Sequence, residues 1–253
     1  MKKSQDIPKQ LFEPIRKEFV SEEQYQRFET LPTVCDKLAR LTNESIYIID
    51  YSKQNFFFVS SHPLFLCGYT AQEVKEMGYA FYEKVLSPED LQMILEINKF
   101  GWELFDHTPP AERTNACFSY DFYLHHRDGT KTLINHKLSP TFLTDHNNMW
   151  LAICTISLSS KKTSGNVVFT QNNTWEYYTY NFDTKQIEKY RSGKLTKREK
   201  EVVALMMRGF NTDEIAKTLL ISTNTVRSHR VAIEQKFDVN NAANAIALFN
   251  SMF

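Results

Sequence analysis

Residues 195–237 read LTKREKEVVALMMRGFNTDEIAKTLLISTNTVRSHRVAIEQKF and predict three short helices in close succession. Thr196, followed three residues later by Glu199, is typical of a capping box at the start of the first helix, and Gly209 predicts the left-handed end of that helix. A short second helix follows, and Ser222 predicts the cap of the third. Two helices joined by so tight a connection are what a helix-turn-helix requires.

The third helix of this stretch has faces of different chemistry. The face predicted to pack in the core is apolar, with Val226, Ile233 and Phe237 at helical spacing. Another face carries together Asn224, Arg227, Ser228 and Val231, and an arginine placed there can pair with guanine through two hydrogen bonds. Side chains suited to phosphate contacts flank that face: Thr223, Thr225, His229 and Arg230. The alternative interpretation is a solvated helical bundle with a charged face.

Residues 195–248 resemble the LuxR/FixJ-type DNA-binding domain of bacterial transcription regulators. The matching positions run through all three helices: Leu195, Thr196, Arg198, Glu199, Glu201, Val202, Gly209, Glu214, Ile215, Ala216, Leu219, Ile221, Ser222, Thr225, Val226, His229, Ile233 and Lys236. The resemblance implies an all-α, four-helix domain whose third helix enters the major groove, with dimers on paired half-sites. It also implies that Arg227, Ser228 and Val231 face the bases, where Val231 can meet a thymine methyl group.

The charge of the chain is divided between its two ends. The 253 residues contain 30 Lys and Arg and 30 Asp and Glu, so the formal net charge is zero. Residues 185–253 nevertheless carry 12 Lys and Arg against 7 Asp and Glu, while residues 1–184 are acidic. This asymmetry favours a basic module at the C-terminal end that binds nucleic acid.

Other classes of protein find no support in the sequence. No GxGxxG or Walker-type phosphate loop and no local enzyme motif occurs, so we expect no catalytic activity. The four cysteines include no CxxC pair and predict neither a zinc site nor a disulfide framework. The longest strongly apolar run, residues 149–154, is too short to cross a bilayer, and no signal peptide is recognisable. We therefore expect a cytoplasmic protein that does not bind membranes.

Residues 45–158 run through two strands, several helices and three further strands, an order that differs from the parallel alternation of a phosphorylated receiver domain. Three motifs match the PAS family: Gly68-Tyr69-Thr70 with Glu73, Ser87-Pro88-Glu89-Asp90, and Arg127-Asp128-Gly129 between two strands. The segment resembles a PAS domain on these residues. The resemblance implies a five-stranded antiparallel sheet with helices over one face, enclosing a cavity.

The whole pattern predicts an α+β chain with four parts. A flexible N-terminal arm covers residues 1–21, and a PAS-like sensor or dimerisation domain with an N-terminal helix covers residues 22–160. A short β-hairpin linker covers residues 161–193. The helix-turn-helix domain covers residues 194–253 and includes an Ala-rich last helix at 241–253.

Aromatic residues are dense in the PAS-like segment. Such residues most often pack a core, but they would equally suit an apolar or aromatic ligand: Phe57, Phe65, Phe81, Phe118, Tyr120 and Phe122. No cysteine has the sequence context of a flavin site. His107 is the only candidate for an axial haem ligand, and a lone histidine there is more often a surface residue, so no cofactor is expected. We interpret the remaining histidines of the strands as solvated hairpin residues: His125, His126 and His136.

These observations predict a bacterial one-component transcription regulator that binds double-stranded DNA as a homodimer. In this hypothesis the PAS-like domain senses a small molecule or mediates dimerisation, and so controls the helix-turn-helix. One alternative makes the PAS-like domain a ligand-free protein-interaction module. Another is a haem- or flavin-dependent sensor or enzyme with a DNA-binding appendage.

Overall fold

The computed structural model describes residues 11, 18–171, 176–237, 239, 241, 245, 246, 248 and 249. The chain divides into two compact units, residues 1–172 and residues 173–253. Most of the predicted N-terminal arm at 1–21 and most of the predicted last helix at 241–253 lie outside the described residues. No helix in the described part of the chain is both long enough and apolar enough to span a membrane.

The helices of the first unit are α1 (Glu22–Gln26), α2 (Leu31–Thr42), α3 (Pro63–Leu66), α4 (Ala71–Met77), α5 (Ala80–Val85), α6 (Pro88–His107) and a 3-10 helix at Pro110–Asn115. The strands of this unit are β1 (Ser45–Asp50), β2 (Asn55–Val59), β3 (Ala116–His125), β4 (Lys131–Leu143), β5 (Met149–Leu158) and β6 (Gly165–Gln171). The second unit contains β7 (Glu176–Asn181), β8 (Gln186–Arg191), α7 (Lys197–Met207), α8 (Thr212–Leu219) and α9 (Thr223–Phe237).

The sheet of the first unit is antiparallel and has the order β2-β1-β5-β4-β3-β6. The first unit contributes six strands to it, so the prediction of five was wrong. The additional strand, β6, belongs to the segment predicted as a linker, and it pairs with β3, placing Phe169 opposite Phe118. Its apolar residues alternate, so Val167 and Phe169 point to the same side. Both are buried, and pairing with β3 therefore removes their apolar surface from water.

Helices cover both faces of this sheet. Tyr47 of β1 points toward the face covered by α5 and α6, where aromatic side chains pack around it. The opposite face is covered by α1 and α2, whose residues Tyr25, Cys35 and Ala39 pack with Trp150 in one cluster. The PAS resemblance implied helices over a single face. The second layer follows from the sequence of β1, which places Ile46 and Ile48 on one side and Tyr47 and Ile49 on the other, so both of its sides need a cover.

In the second unit, β7 and β8 form an antiparallel hairpin, and three helices follow it. The helices share a core of fully buried apolar side chains: Val202, Val203, Ile215, Val226 and Ile233. The three helices predicted over 195–237 are thereby confirmed. The chain is a mixed α/β protein whose last described helices form a separate helical core.

Candidate nucleic-acid interface and internal cavity

The first helix of the helical core begins at the predicted capping box. The Thr196 hydroxyl accepts a hydrogen bond from the backbone N–H of Glu199 (3.2 Å), and the Glu199 carboxylate accepts one from the N–H of Thr196 (2.6 Å). The same carboxylate forms an ion pair with Lys236 near the end of α9 (2.6 Å). Burial by itself raises the pKa of Glu199, but the hydrogen bonds from Lys236 and Thr196 outweigh it and hold the pKa below its ordinary value. The cap therefore also joins α7 to α9.

A tight turn sets the angle between α8 and α9. Leu220 ends α8 in the left-handed conformation (φ 55°), and the N–H of Ile221 donates to the carbonyl of Ala216 (3.0 Å). Ser222 caps α9, since its hydroxyl accepts from the N–H of Thr225 (3.1 Å). Arg198 of α7 donates to the last carbonyl of α8, that of Leu219. These contacts hold α9 at a fixed orientation on the two preceding helices.

α9 presents the four residues of its predicted base-facing side to solvent. Val226, Ile233 and Phe237 are buried, whereas Asn224, Arg227, Ser228 and Val231 are exposed. Two of them are ordered by Asn224: its side-chain oxygen accepts from the guanidinium of Arg227 (3.0 Å) and its carbonyl from the hydroxyl of Ser228 (3.1 Å). The structure thus places on one open face the residues that sequence reasoning grouped together.

The predicted phosphate-contacting residues lie on either side of this face. Thr225 is exposed, while Thr223, His229 and Arg230 are half-buried. The guanidinium of Arg230 donates to the hydroxyl of Thr212 at the start of α8 (3.0 Å). Arg230 therefore lies beside the N-terminus of α8, where the Asn211 side chain accepts hydrogen bonds from the N–H groups of Asp213 and Glu214 (3.0 Å each).

Residues 193–249 match the model of the luxR family of bacterial regulatory proteins. This segment is a LuxR-family domain. The transcriptional regulatory protein DesR of Bacillus subtilis is 48% identical to the chain over 52 residues, which make up 21% of this chain and 26% of DesR. The similarity thus spans about a quarter of that relative.

Solved structures resemble larger parts of the chain at low sequence identity. The VqmA dimer of Vibrio cholerae, a LuxR-type receptor, is 17% identical to this chain. The aligned region covers 92% of this chain and 91% of the VqmA chain, with a TM-score of 0.32. The second is the N-terminal domain of a diguanylate cyclase with a PAS/PAC sensor from Marinobacter aquaeolei, which is 15% identical. The aligned region covers 46% of this chain and 94% of that domain, with a TM-score of 0.35.

Two small, partly open cavities of the first unit lie between its sheet and α6. Their volumes are about 30 and 20 Å³, and both are lined by Tyr51, Asn98, Tyr120 and Leu138. A cavity of about 10–15 Å³ is large enough for one water molecule. In this conformation each cavity therefore has room for one or two waters.

The six aromatic residues predicted around a ligand do not all meet there. Three of them line the cavities, namely Phe118, Tyr120 and Phe122. Phe65 and Phe81 are buried in an adjoining aromatic cluster, with ring centroids 5.1 Å apart. Phe57 lies on the opposite face of the sheet, stacked at 6.1 Å on Tyr25. Its neighbour Phe56 takes the inner position, because successive residues of a strand point to opposite faces.

His136 is the functional candidate that sequence reasoning missed, and its interpretation as a solvated residue was wrong. It is 2% exposed, and its Nε2 lies 2.7 Å from the hydroxyl of Tyr47, which in turn lies 2.8 Å from that of Tyr82. Burial lowers the pKa of His136 to about 3, so the imidazole is neutral at physiological pH. Its Nδ1 has no hydrogen-bonding partner among the described residues. The available signal was alternation, since His136 shares the strand face of Ile134 and Leu138.

His107, the candidate haem ligand, lies at the C-terminal end of α6. It is exposed, and its Nδ1 is 2.6 Å from the carbonyl oxygen of Glu103 on the same helix. It does not line either cavity described above. Within the part of the chain that the structure describes, no three His, Cys, Asp or Glu side chains are grouped so that they could hold a metal ion.

Proposed function

We propose that the chain is a bacterial one-component transcription regulator that reads DNA with the exposed face of α9. The LuxR-family match over residues 193–249 and the exposure of Asn224, Arg227, Ser228 and Val231 on one side of that helix support the proposal. A protein of this class works in the cytoplasm, where the genome is, and it has no catalytic role.

The residues of α9 divide between base readout and positioning. Arg227, Ser228 and Val231 face the base edges of the major groove, and a bidentate arginine–guanine pair is worth about 1–3 kcal/mol of discrimination. Arg230, with Thr223, Thr225 and His229, contacts phosphates, which orient the helix without reading sequence. The hydrogen bond from Arg227 to Asn224 holds the guanidinium at the open face before DNA arrives.

The charge of the domain favours two copies acting together. Residues 195–253 carry 8 Lys and Arg against 6 Asp and Glu, so a single domain has only a small positive surplus. Non-specific affinity comes mainly from phosphate contacts, and it is modest for so small a surplus. A homodimer that occupies two half-sites gains both charge and sequence information.

The first unit has two candidate roles. As a sensor, it binds a small apolar or aromatic molecule among the aromatic residues around its cavities. That ligand controls DNA binding because its affinity differs between two arrangements of the chain. As a ligand-free interaction module, it only joins copies or partners. The cavity volumes of about 30 and 20 Å³ favour the second role in this conformation, because a ligand larger than water requires the cavity to expand.

Selection of genomic DNA fragments by the purified full-length protein tests the proposed function. We expect a small set of duplexes to be enriched, with retention that falls steeply as salt rises. Arg227→Ala should relax the selection at one base position of the enriched duplexes, while Lys84→Ala, which removes an exposed cation from α5 in the first unit, should leave the selected sequences unchanged. The absence of any salt-sensitive enrichment would contradict the proposal.

A separate measurement decides between the two roles of the first unit. Native mass spectrometry and an absorbance spectrum of the purified protein detect any small molecule that copurifies with it. A bound compound favours the sensor, and its loss on replacing a cavity residue, as in Tyr120→Ala, would locate it. A mass equal to that of the chain alone favours the ligand-free module.

A further inference from the structure

Most of the positive surplus of the second unit lies outside its helical core. Residues 185–194, from the turn of the hairpin to the start of the helical core, contain four Lys and Arg against one Glu, a surplus of three. Residues 195–253 contain 8 Lys and Arg against 6 Asp and Glu, a surplus of two. The reading of bases by α9 makes no use of the charge that is concentrated in the shorter segment.

Three exposed cations follow one another at the base of the hairpin. Arg191 ends β8, Lys194 lies in the connection to the helical core, and Lys197 begins α7. We refer to these three side chains as the basic strip. The carboxylate of Glu176 lies opposite Arg191 in the β7–β8 pair, but it forms its ion pair with Lys189 (2.8 Å). One acid is therefore shared between two cations and does not neutralise both.

The charges of the strip are not used to stabilise the helical core. Lys197 lies in the first turn of α7, where the helix dipole favours acidic side chains and disfavours a cation. Within the described part of the chain, neither the Lys194 nor the Lys197 ammonium forms an ion pair. Both charges are therefore available to an anionic partner.

The connection that carries the strip is fixed to the end of α9. The N–H of Gly193 donates to the carbonyl of Lys236 (2.7 Å), and the Lys236 ammonium donates to the carbonyl of Lys194 (3.1 Å). A Cβ atom at residue 193 would come within 2.8 Å of the Lys236 side chain, so only glycine permits so close an approach. Ser192 and Leu195, on either side, are buried. The strip thus has a defined position relative to α9.

Lys236 lies on a flank of α9 that also carries two predicted phosphate contacts. Thr225 and His229 precede it by eleven and seven residues, and at about 100° per residue all three lie within an arc of about 40°. A helix in the major groove, which is about 12 Å wide, has a phosphate backbone along each of its flanks. The connection attached to Lys236 therefore lies on the side where one of these backbones runs.

We propose that the basic strip binds the phosphate backbone of DNA along one edge of the major groove that α9 occupies. This inference rests on the proposed DNA-binding function and extends its interface to the hairpin. α9 supplies the sequence readout, and the strip supplies electrostatic attraction that the helical core lacks. Residues 191–197 span at most about 20 Å, and phosphates of one strand follow each other about every 3.4 Å along the axis, so the strip can reach several of them.

The salt dependence of DNA binding tests the strip. The full-length protein and its double variant Arg191→Gln/Lys194→Gln are titrated onto the selected duplex and onto an unrelated duplex of equal length. We expect the double variant to lower the slope of log affinity against log salt by about two on both duplexes, because two phosphate contacts are lost. At about 0.1 M salt its affinity should fall at least tenfold. Its preference among single-base variants of the selected duplex should not change, since phosphate contacts do not read sequence.

A second double variant controls for the change in net charge. Lys84→Gln/Lys162→Gln also removes two exposed cations, both in the first unit, and it should leave the slope nearly unchanged. Equal slopes in the two double variants overturn the inference, because the effect then reflects net charge alone. An unchanged slope in Arg191→Gln/Lys194→Gln overturns it as well.

Neutral phosphates locate the contact. Methylphosphonate linkages are placed one at a time along the selected duplex, and binding of the unsubstituted protein is compared with that of Arg191→Gln. We expect at least one linkage that weakens the unsubstituted protein severalfold and has no further effect on the variant. Identical profiles for the two proteins overturn the inference. A chain that selects no duplex but shows the expected slopes on the unrelated DNA would refute base reading by α9 and support the strip, whereas selection without any change of slope would refute the strip alone.

Discussion

Replacing Lys236 by Met should loosen the connection between α7 and α9 of the LuxR-family domain. Glu199 is 4% exposed and Lys236 is its partner at 2.6 Å, so the substitution leaves a buried carboxylate without a counter-charge. Breaking a fully buried pair costs about 3–5 kcal/mol. The Lys236 side chain is 29% exposed, so water offsets part of the loss, and we expect about 2–3 kcal/mol. The methionine keeps most of the packing of the lysine stem.

Native-state hydrogen exchange measures this cost locally, which matters because a chain of two units need not unfold in one step. We expect amides of α7, such as that of Val203, to exchange about 30- to 150-fold faster in Lys236→Met, at about 1.4 kcal/mol per factor of ten. Adding Glu199→Gln should recover part of this loss, because it removes the stranded charge. Acceleration below threefold, or a double variant less protected than Lys236→Met alone, would refute the reasoning.

The remaining predictions concern buried polar groups of the first unit. Tyr25→Phe removes the hydrogen bond to Asp50 and should lower the free energy of unfolding of the α1 region by about 1–2 kcal/mol, seen as faster proteolysis or exchange there. The imidazole of His136 should give NMR shifts that do not change between pH 5 and 8, since burial lowers its pKa to about 3. Tyr47→Phe should destabilise the unit by about 1–3 kcal/mol, because it leaves Nε2 of His136 without its partner.

The pKa of Glu199 also predicts how the stability of the LuxR-family domain depends on pH. This pKa lies below its ordinary value in the folded protein, so the ionised group stabilises the fold at every pH above the pKa of an unfolded glutamate. The contribution should disappear as the pH falls from about 4.5 through the lower, folded pKa. Exchange of α7 amides should therefore depend on pH in this range in the unsubstituted chain, after correction for intrinsic rates, and less so in Glu199→Gln.

The helical core of the second unit could be predicted from sequence because its signals are local. The capping box at Thr196, the left-handed Gly209 and the cap at Ser222 each depend on residues three or fewer positions apart. The exposed face of α9 follows from helical periodicity once the position of Val226 in the core is known. The role of that face in DNA binding stays a prediction.

The first unit was predicted less well, since its details depend on contacts between distant segments. β6 joins the sheet only because β3 offers an unpaired edge, and a sequence of seven residues does not show which edge is free. The prediction that Phe57 faces the cavity ignored the alternation of side chains along β2. The register of the β1–β2 pair also shifts between Ile48 and Ile49, which makes the inward positions of β2 harder to predict. The burial of His136 depends on its neighbour Tyr120 on the paired strand β3, a contact that the local sequence around His136 does not show.

The measurement that most directly tests the central claim is the comparison of Arg227→Ala with Arg230→Ala on single-base variants of a selected duplex. The account predicts that Arg227→Ala loses preference at one base position, worth about 1–3 kcal/mol, and keeps its preference elsewhere. It predicts that Arg230→Ala weakens binding to all duplexes alike and lowers the slope of log affinity against log salt by about one. If both variants lower affinity uniformly and neither relaxes any base preference, α9 does not read DNA in the way proposed here.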